Sequence, residues 1–264
     1  MTAEISGPQF DSIKTITTKR PEAKINDQKI VFLEELGHGG SKRVFRVMVN
    51  ENVHALAVPN TSVDSLTVVN EKWQKSIAEA AIIPKIREIG MLTHPQFDFV
   101  VISINNQELP AILMTCYDQL PFKIIDGKSF SKESDPSTDT PLHVSTIMKS
   151  MEAIVDDILK MINSNLMIDI SDSINIAFVD GIPRIFLSDL GDAFLDASFD
   201  ELPQNFIKKH IRMCVNKVLT IIRYGFLENN HDKYEEILTS NLFDFETPGN
   251  LQEQLMEEIL GRLK

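Results

Sequence analysis

Two strand-like runs flank one tight polar turn near the start of the chain. Lys29-Ile30-Val31-Phe32-Leu33 is rich in β-branched and aromatic residues, and Val44-Phe45-Arg46-Val47-Met48-Val49 alternates apolar and polar positions. Between them lies Leu36-Gly37-His38-Gly39-Gly40-Ser41-Lys42-Arg43, so the pattern predicts strand, glycine turn, strand. A third strand, His54-Ala55-Leu56-Ala57-Val58, runs up to Pro59, which has no backbone donor to continue a ladder. The spacing then becomes helical from about Ser65 to Ile89, with Ile77, Ile82, Ile83 and Ile86 apolar and Glu71, Lys72, Lys75, Glu79 and Glu88 among them. Pro84 is expected to kink or split this helix. Two more strand-like segments, Phe97 to Ile104 and Pro110 to Tyr117, are separated by Asn105-Asn106-Gln107, which gives five antiparallel strands with one inserted helix.

The second half reads differently. Asp126 to Pro141 is rich in Ser, Asp, Thr and Lys and reads as a flexible connector. Val144 to Asn163 places Ile147, Met151, Ile154, Val155, Ile158 and Ile162 on one stripe, with Glu152, Asp156, Asp157 and Lys160 opposite. A loop with an acidic tip follows, then a short hairpin around Val179-Asp180-Gly181, ending in Asp189-Leu190-Gly191. The rest is helical: Pro203 to Tyr224, a short helix near His231 to Leu238, and a last one from Asn250, which forms an N-capping box with Glu253. Residues 1–27, with Pro8, Pro21 and little periodicity, read as a tail that is loose or laid over the surface.

Composition narrows the functional classes. A formal net charge of -12 argues against a general nucleic-acid or anionic-membrane surface, although it leaves room for a local basic strip. Cys116 and Cys214 both sit inside apolar runs and read as buried thiols of a reducing compartment. No apolar run is long enough to span a bilayer, and Met1 to Phe10 has no hydrophobic stretch of the kind a cleaved signal needs. A cytoplasmic location is expected.

Two stretches hold candidate chemistry. The backbone amides of Gly37, Gly39 and Gly40 suit phosphate oxygens, with a ligand-free glycine hairpin as the plain alternative. Asp169, Asp172, Asn175 and Asp189 are hard oxygen ligands flanked by apolar residues. They suit Mg2+ shared with substrate phosphates, with turn capping as the plain alternative.

In this order the motifs resemble those of the protein-kinase-like superfamily over residues 28–195. Leu36 to Val44 resembles the loop G-x-G-x-x-G-x-V, with Lys42 where the third glycine belongs. Leu56-Ala57-Val58-Pro59 falls where the family has V-A-I-K, with Pro59 replacing the lysine. Glu79 matches the glutamate of the helix after strand three, with Glu88 second. Ile112-Leu113-Met114-Thr115-Cys116-Tyr117 resembles the fifth strand and the hinge that meets adenine. Met167-Ile168-Asp169 resembles H-R-D without its histidine and arginine, which implies Asp169 as base and Asn175 as metal ligand. The interval between these two is one residue too long, which keeps Asp172 in contention. Asp189-Leu190-Gly191 resembles the metal-binding D-F-G, and no A-P-E follows.

Lys42 resembles the relocated lysine of the with-no-lysine kinases, which also carry D-L-G. A solvated turn lysine is the alternative. The resemblance implies an α+β, bilobal protein-kinase-like fold. Its parts would be a tail (1–27), a five-stranded antiparallel N-lobe with one helix (28–117) and a reduced, mainly helical C-lobe (118–264).

The resemblance further implies an ATP- and Mg2+-dependent phosphotransferase, most simply a protein Ser/Thr kinase. Lys42, Glu79 and Asp169 would be catalytic. Gly37, Gly39, Gly40, Lys42, Val44, Ala57, Met114 and Cys116 would line the nucleotide, and Asn175 and Asp189 would hold metal. The expected partners are the nucleotide and a protein substrate. Compact kinases of this sort resemble secreted effectors of intracellular bacteria, so delivery into a host cell is a second location. A pseudokinase that binds a partner, and a kinase-fold enzyme performing nucleotidylation or small-molecule phosphorylation, are the alternative functions.

Overall fold

The computed structural model of the chain describes residues 4–19, 21–62, 65–104, 106–125, 144–180, 182–195, 204–229 and 251–263. They form two compact units. The first contains Met1–Lys85, His94–Leu120 and Leu190–Ala193, and the second contains Ile86–Thr93, Pro121–Asp189 and Phe194–Lys264.

The first unit is built on a closed antiparallel barrel. Its strands are β1 (Ala23–Ile25), β2 (Gln28–His38), β3 (Lys42–Val49), β4 (Asn52–Pro59), β6 (Phe97–Ile104) and β7 (Gln107–Met114), in the order β1-β2-β3-β4-β7-β6. This overturns the expected bilobal kinase-like fold with its five-stranded N-lobe: six strands close on themselves, and β1 makes the closure. Ala23 pairs with Ile30 of β2 on one side and with Ile104 of β6 on the other, so no free sheet edge is left. The turn after β1 is Asn26-Asp27, both at positive φ (47° and 63°), the backbone of a tight two-residue hairpin. Asn50 and Glu51 repeat the device between β3 and β4.

Of the two alternatives for residues 1–27, the described part is laid over the barrel and not loose. It contains α1 (Gly7–Lys19), which buries Ile13 and Ile16 and packs on β7, while Asn70 brackets the backbone of Ile5 from both sides. Along β3, Phe45, Val47 and Val49 alternate inward, and Phe45 meets Phe32 edge-on at 5.5 Å. Helix α2 (Leu66–Glu88) runs unbroken past the Pro84 inside it, so the expected split does not occur, and it buries Val69, Trp73, Ile83 and Ile86.

The second unit pairs sheet with helices. A four-stranded sheet runs β5 (Leu92–Thr93), β11 (Ile182–Leu187), β10 (Ile174–Val179), β8 (Lys123–Ile125), and β9 (Leu166–Met167) pairs with β12 (Phe194–Leu195). Helix α3 (Val144–Asn163) packs on β11 through its predicted stripe, with Ile154, Val155 and Ile158 fully buried. Asp157 does not face solvent as its helical phase suggested. It is fully buried, and it accepts from Arg184 at 2.8 and 2.7 Å and from the Ile185 amide at 3.0 Å. A buried carboxylate is tolerated only with such partners. The fourth helix, α4 (Ile170–Ser173), is a single turn. Helix α5 (Gln204–Asn229) packs on β10 and on α6 (Leu251–Arg262). The expected connector at 126–141, the helix near 231–238 and Asn250 lie outside the described residues. Among the described residues, no helix is long and apolar enough to cross a membrane.

Candidate functional site

In the first unit the glycine turn and the position of the missing lysine meet through strand register. Lys42 pairs directly with Pro59 across β3 and β4. Side chains directly opposite each other leave the sheet on the same face with Cβ atoms about 5 Å apart, so a lysine at 42 starts from almost the same point as one at 59. Lys42 Nζ makes an ion pair with Glu79 of α2, and the two side chains are 19% and 2% exposed. Its ammonium also stands 5.4 Å from the centre of the Phe97 ring. The second oxygen of Glu79 accepts the backbone amide of Leu190 at 3.2 Å. One buried carboxylate thus fixes both the cation of the turn and the main chain of Leu190. Glu88, the other glutamate weighed for this role, is exposed at the end of α2.

The turn itself is closed by Gly39 N–H donating to the Lys42 carbonyl at 2.9 Å. Asn60 steadies it: its backbone amide donates to Ser41 O at 3.0 Å, and its side chain donates to Gly39 O at 2.7 Å. A Cβ at Gly37, Gly39 or Gly40 would meet nothing within 4 Å. The fold's own packing does not require glycine there. Gly191 is the opposite case, because a Cβ there would lie 2.8 Å from Lys75 Cβ and 2.9 Å from Lys75 O. The same segment is pinned again by the Lys75–Asp192 ion pair at 2.7 Å.

Val44 lies opposite Gly37 on one side and Ala57 on the other, and Ala57 lies opposite Ile112. Met114 pairs with Ala55 and with Phe97. By register, then, Gly37, Lys42, Val44, Ala57 and Met114 share one face of the barrel wall. Ala57, Met114 and Cys116 are buried. Cys116 sits past β7 at the start of a single 3-10 turn, and burial pushes its thiol up, so it is no nucleophile.

In the second unit the acidic loop converges through serines. The Asp169 carboxylate caps α4, with Oδ1 accepting the Ser171 amide at 3.0 Å and the Ser171 hydroxyl at 2.6 Å. Ser173 spans two predicted residues: its amide donates to Asp169 O at 2.9 Å and its hydroxyl to Asp189 O at 3.1 Å. Asn175 is buried, and its Nδ2 donates to Ser188 Oγ at 2.7 Å, next to Asp189. Asp189 is exposed and held at φ 53°, a conformation that side chains other than glycine adopt seldom and mostly at special sites. Asp172 is exposed in the first turn of α4.

Among the described residues, no three His, Cys, Asp or Glu side chains converge as a self-sufficient metal site. An amide oxygen and a carboxylate, from Asn175 and Asp189, are of the ligand types that Mg2+ takes when it retains waters and phosphate oxygens.

The geometry therefore groups the predicted residues in two sets: Lys42, Glu79 and the glycine turn in the first unit, and Asp169, Asn175 and Asp189 in the second. Asn60, Ser173, Ser188 and the Leu190 amide were missed. The only signal for them is that Asn and Ser are the residues that tie turns to backbone. No family model matches the chain, and no curated protein is similar to it.

Proposed function

We propose that the chain is an ATP- and Mg2+-dependent phosphotransferase acting on a hydroxyl acceptor, with a protein serine or threonine as the working substrate. The observation that supports this most is the placement of Lys42, cross-strand from Pro59 and paired with buried Glu79. Phosphoryl transfer asks little covalent chemistry of a protein. It needs a fixed cation at the phosphates, and the strand from which that cation hangs matters less than where it ends. The ion pair with Glu79 and the Phe97 ring hold the ammonium in place before any ligand arrives, so little reorganisation is left for the reaction.

In this reading the Gly40 amide meets the phosphates and Lys42 neutralises them, while Gly37 is paired in the β2–β3 ladder and the Gly39 amide is engaged within the turn. Asn175 and Asp189 would hold Mg2+, which when bound offsets charge on the β and γ phosphates. The acceptor oxygen forms its bond to the γ phosphorus as the bond to the bridging oxygen breaks. ADP leaves with that electron pair, and the acceptor's proton passes to Asp169.

A second reading, nucleotide binding without transfer, is favoured by one contact: Asp169 Oδ1 already takes two hydrogen bonds from Ser171. ATP labelled on the α or the γ phosphate separates the readings. Transfer of γ label is the expected result. A rise in Tm with Mg-ATP but no transfer selects the binding module, transfer of α label selects nucleotidylation, and neither binding nor transfer overturns both readings.

A further inference from the structure

The molecule is acidic, with 38 Asp and Glu against 26 Lys and Arg. Yet residues 204–227 contain no carboxylate and five basic residues, Lys208, Lys209, Arg212, Lys217 and Arg223. All five lie on α5, which is buried through Ile211, Cys214, Val215 and Val218. That burial anchors the helix, so the basic face is fixed in orientation within its unit. Lys208, Lys209 and Arg212 are exposed and make no ion pair with a described residue, whereas Lys217 is already engaged, donating to Ser171 O at 2.7 Å.

Two large apolar side chains stand among these cations, Phe206 at 45% and Met213 at 47% exposure. At about 100° per residue, Phe206, Met213, Lys209 and Asn216 span an arc of about 80°, Arg212 lies about 40° beyond it and Lys208 about 80° beyond it, on the same side. A solvated helix face would carry both signs of charge and would not expose a phenylalanine and a methionine two turns apart.

We propose that this face of α5 docks on an anionic phospholipid surface. Charge complementarity selects an anionic occupant, and the apolar pair selects lipid among anionic occupants. Phe206 and Met213 enter the boundary between headgroups and acyl chains while the cations meet headgroup phosphates, the arrangement of helices that lie in a membrane interface. A duplex nucleic acid would engage the cations but would leave the methionine and phenylalanine uncovered. The net charge of -12 does not prevent docking, because charges more than about 8–10 Å away are screened at physiological salt. The proposal is independent of the phosphotransferase reading.

The test is co-sedimentation of the full chain with vesicles of phosphatidylcholine, alone and mixed with phosphatidylserine. Binding is expected only to the mixed vesicles, weakening as salt is raised. The variant Lys208→Glu/Lys209→Glu/Arg212→Glu is expected to lose about a hundredfold in partitioning. Phe206→Ser/Met213→Ser should lose about tenfold, with far-UV circular dichroism unchanged. The milder Lys209→Gln/Arg212→Gln gives an intermediate loss and preserves the conclusion if the triple variant misfolds. Equal binding to both vesicle types, no binding to either, or binding that survives charge reversal would overturn the proposal, as would a preference for duplex DNA over the mixed vesicles at equal salt.

Discussion

The two sets of candidate residues are held in place by opposite means. In the first unit a cation is positioned by burial: Lys42 at 19% exposure is locked to Glu79 at 2%. In the second unit the carboxylates of Asp169 and Asp189 stay exposed: Ser171 orients the Asp169 carboxylate through hydrogen bonds of 3.0 and 2.6 Å, and the Ser173 hydroxyl holds the Asp189 main chain at 3.1 Å. Under the proposed function, a cation that meets polyanionic phosphates gains from a preorganised, partly desolvated seat, whereas the proposed base Asp169 and metal ligand Asp189 stay open to solvent. The difference also predicts that the first set is coupled to stability and the second is not.

Glu79→Gln probes that contrast most strongly. It leaves Lys42 with an uncompensated charge in a mostly buried seat, at a cost of about 3 kcal/mol in urea unfolding, and it should abolish phosphate transfer. Asp169→Asn should abolish transfer as well, yet cost only about 1 kcal/mol, the worth of a helix cap. Comparable losses of stability in the two variants would erase the distinction.

Two glycine substitutions sharpen the contrast further. Gly191→Ala must push against the Lys75 backbone and should cost about 1–3 kcal/mol. Gly39→Ala meets open space and should stay within about 0.5 kcal/mol of wild type while weakening Mg-ATP binding in a titration.

The smallest effect concerns pH. Burial holds the His210 imidazole below its ordinary value, so the unfolded chain takes up a proton that the folded chain resists. Stability should therefore fall as pH drops below about 6.5, by at most about 1.4 kcal/mol per pH unit, and His210→Gln should flatten that slope.

How much of this was legible in the sequence depends on the range of the interaction. Period-two and period-3.6 patterns placed β3, β6 and α3 closely, because their signal is local. Barrel closure was invisible because β1 is three residues long and earns its place only by pairing with Ile104, far along the chain. Helix α1 was missed because Ile13 and Ile16 are few among threonines and lysines. Asp157 was put on the wet side because its partner Arg184 is 27 residues away. At the site, Lys42 and Glu79 were named from the resemblance to kinase motifs, but the pairing of Lys42 with Pro59 is a fact of register and needed the sheet. Cys214 was read correctly as a core thiol: full burial pushes it up to about 12, so it should resist alkylation until the chain unfolds.

The central claim is that Lys42 supplies the cation for phosphate transfer, and the most direct measurement is turnover of γ-labelled Mg-ATP by wild type and Lys42→Met, each below its own Tm. The account predicts transfer by wild type and a loss of about a hundredfold or more in the variant. Transfer that survives Lys42→Met undiminished would contradict it.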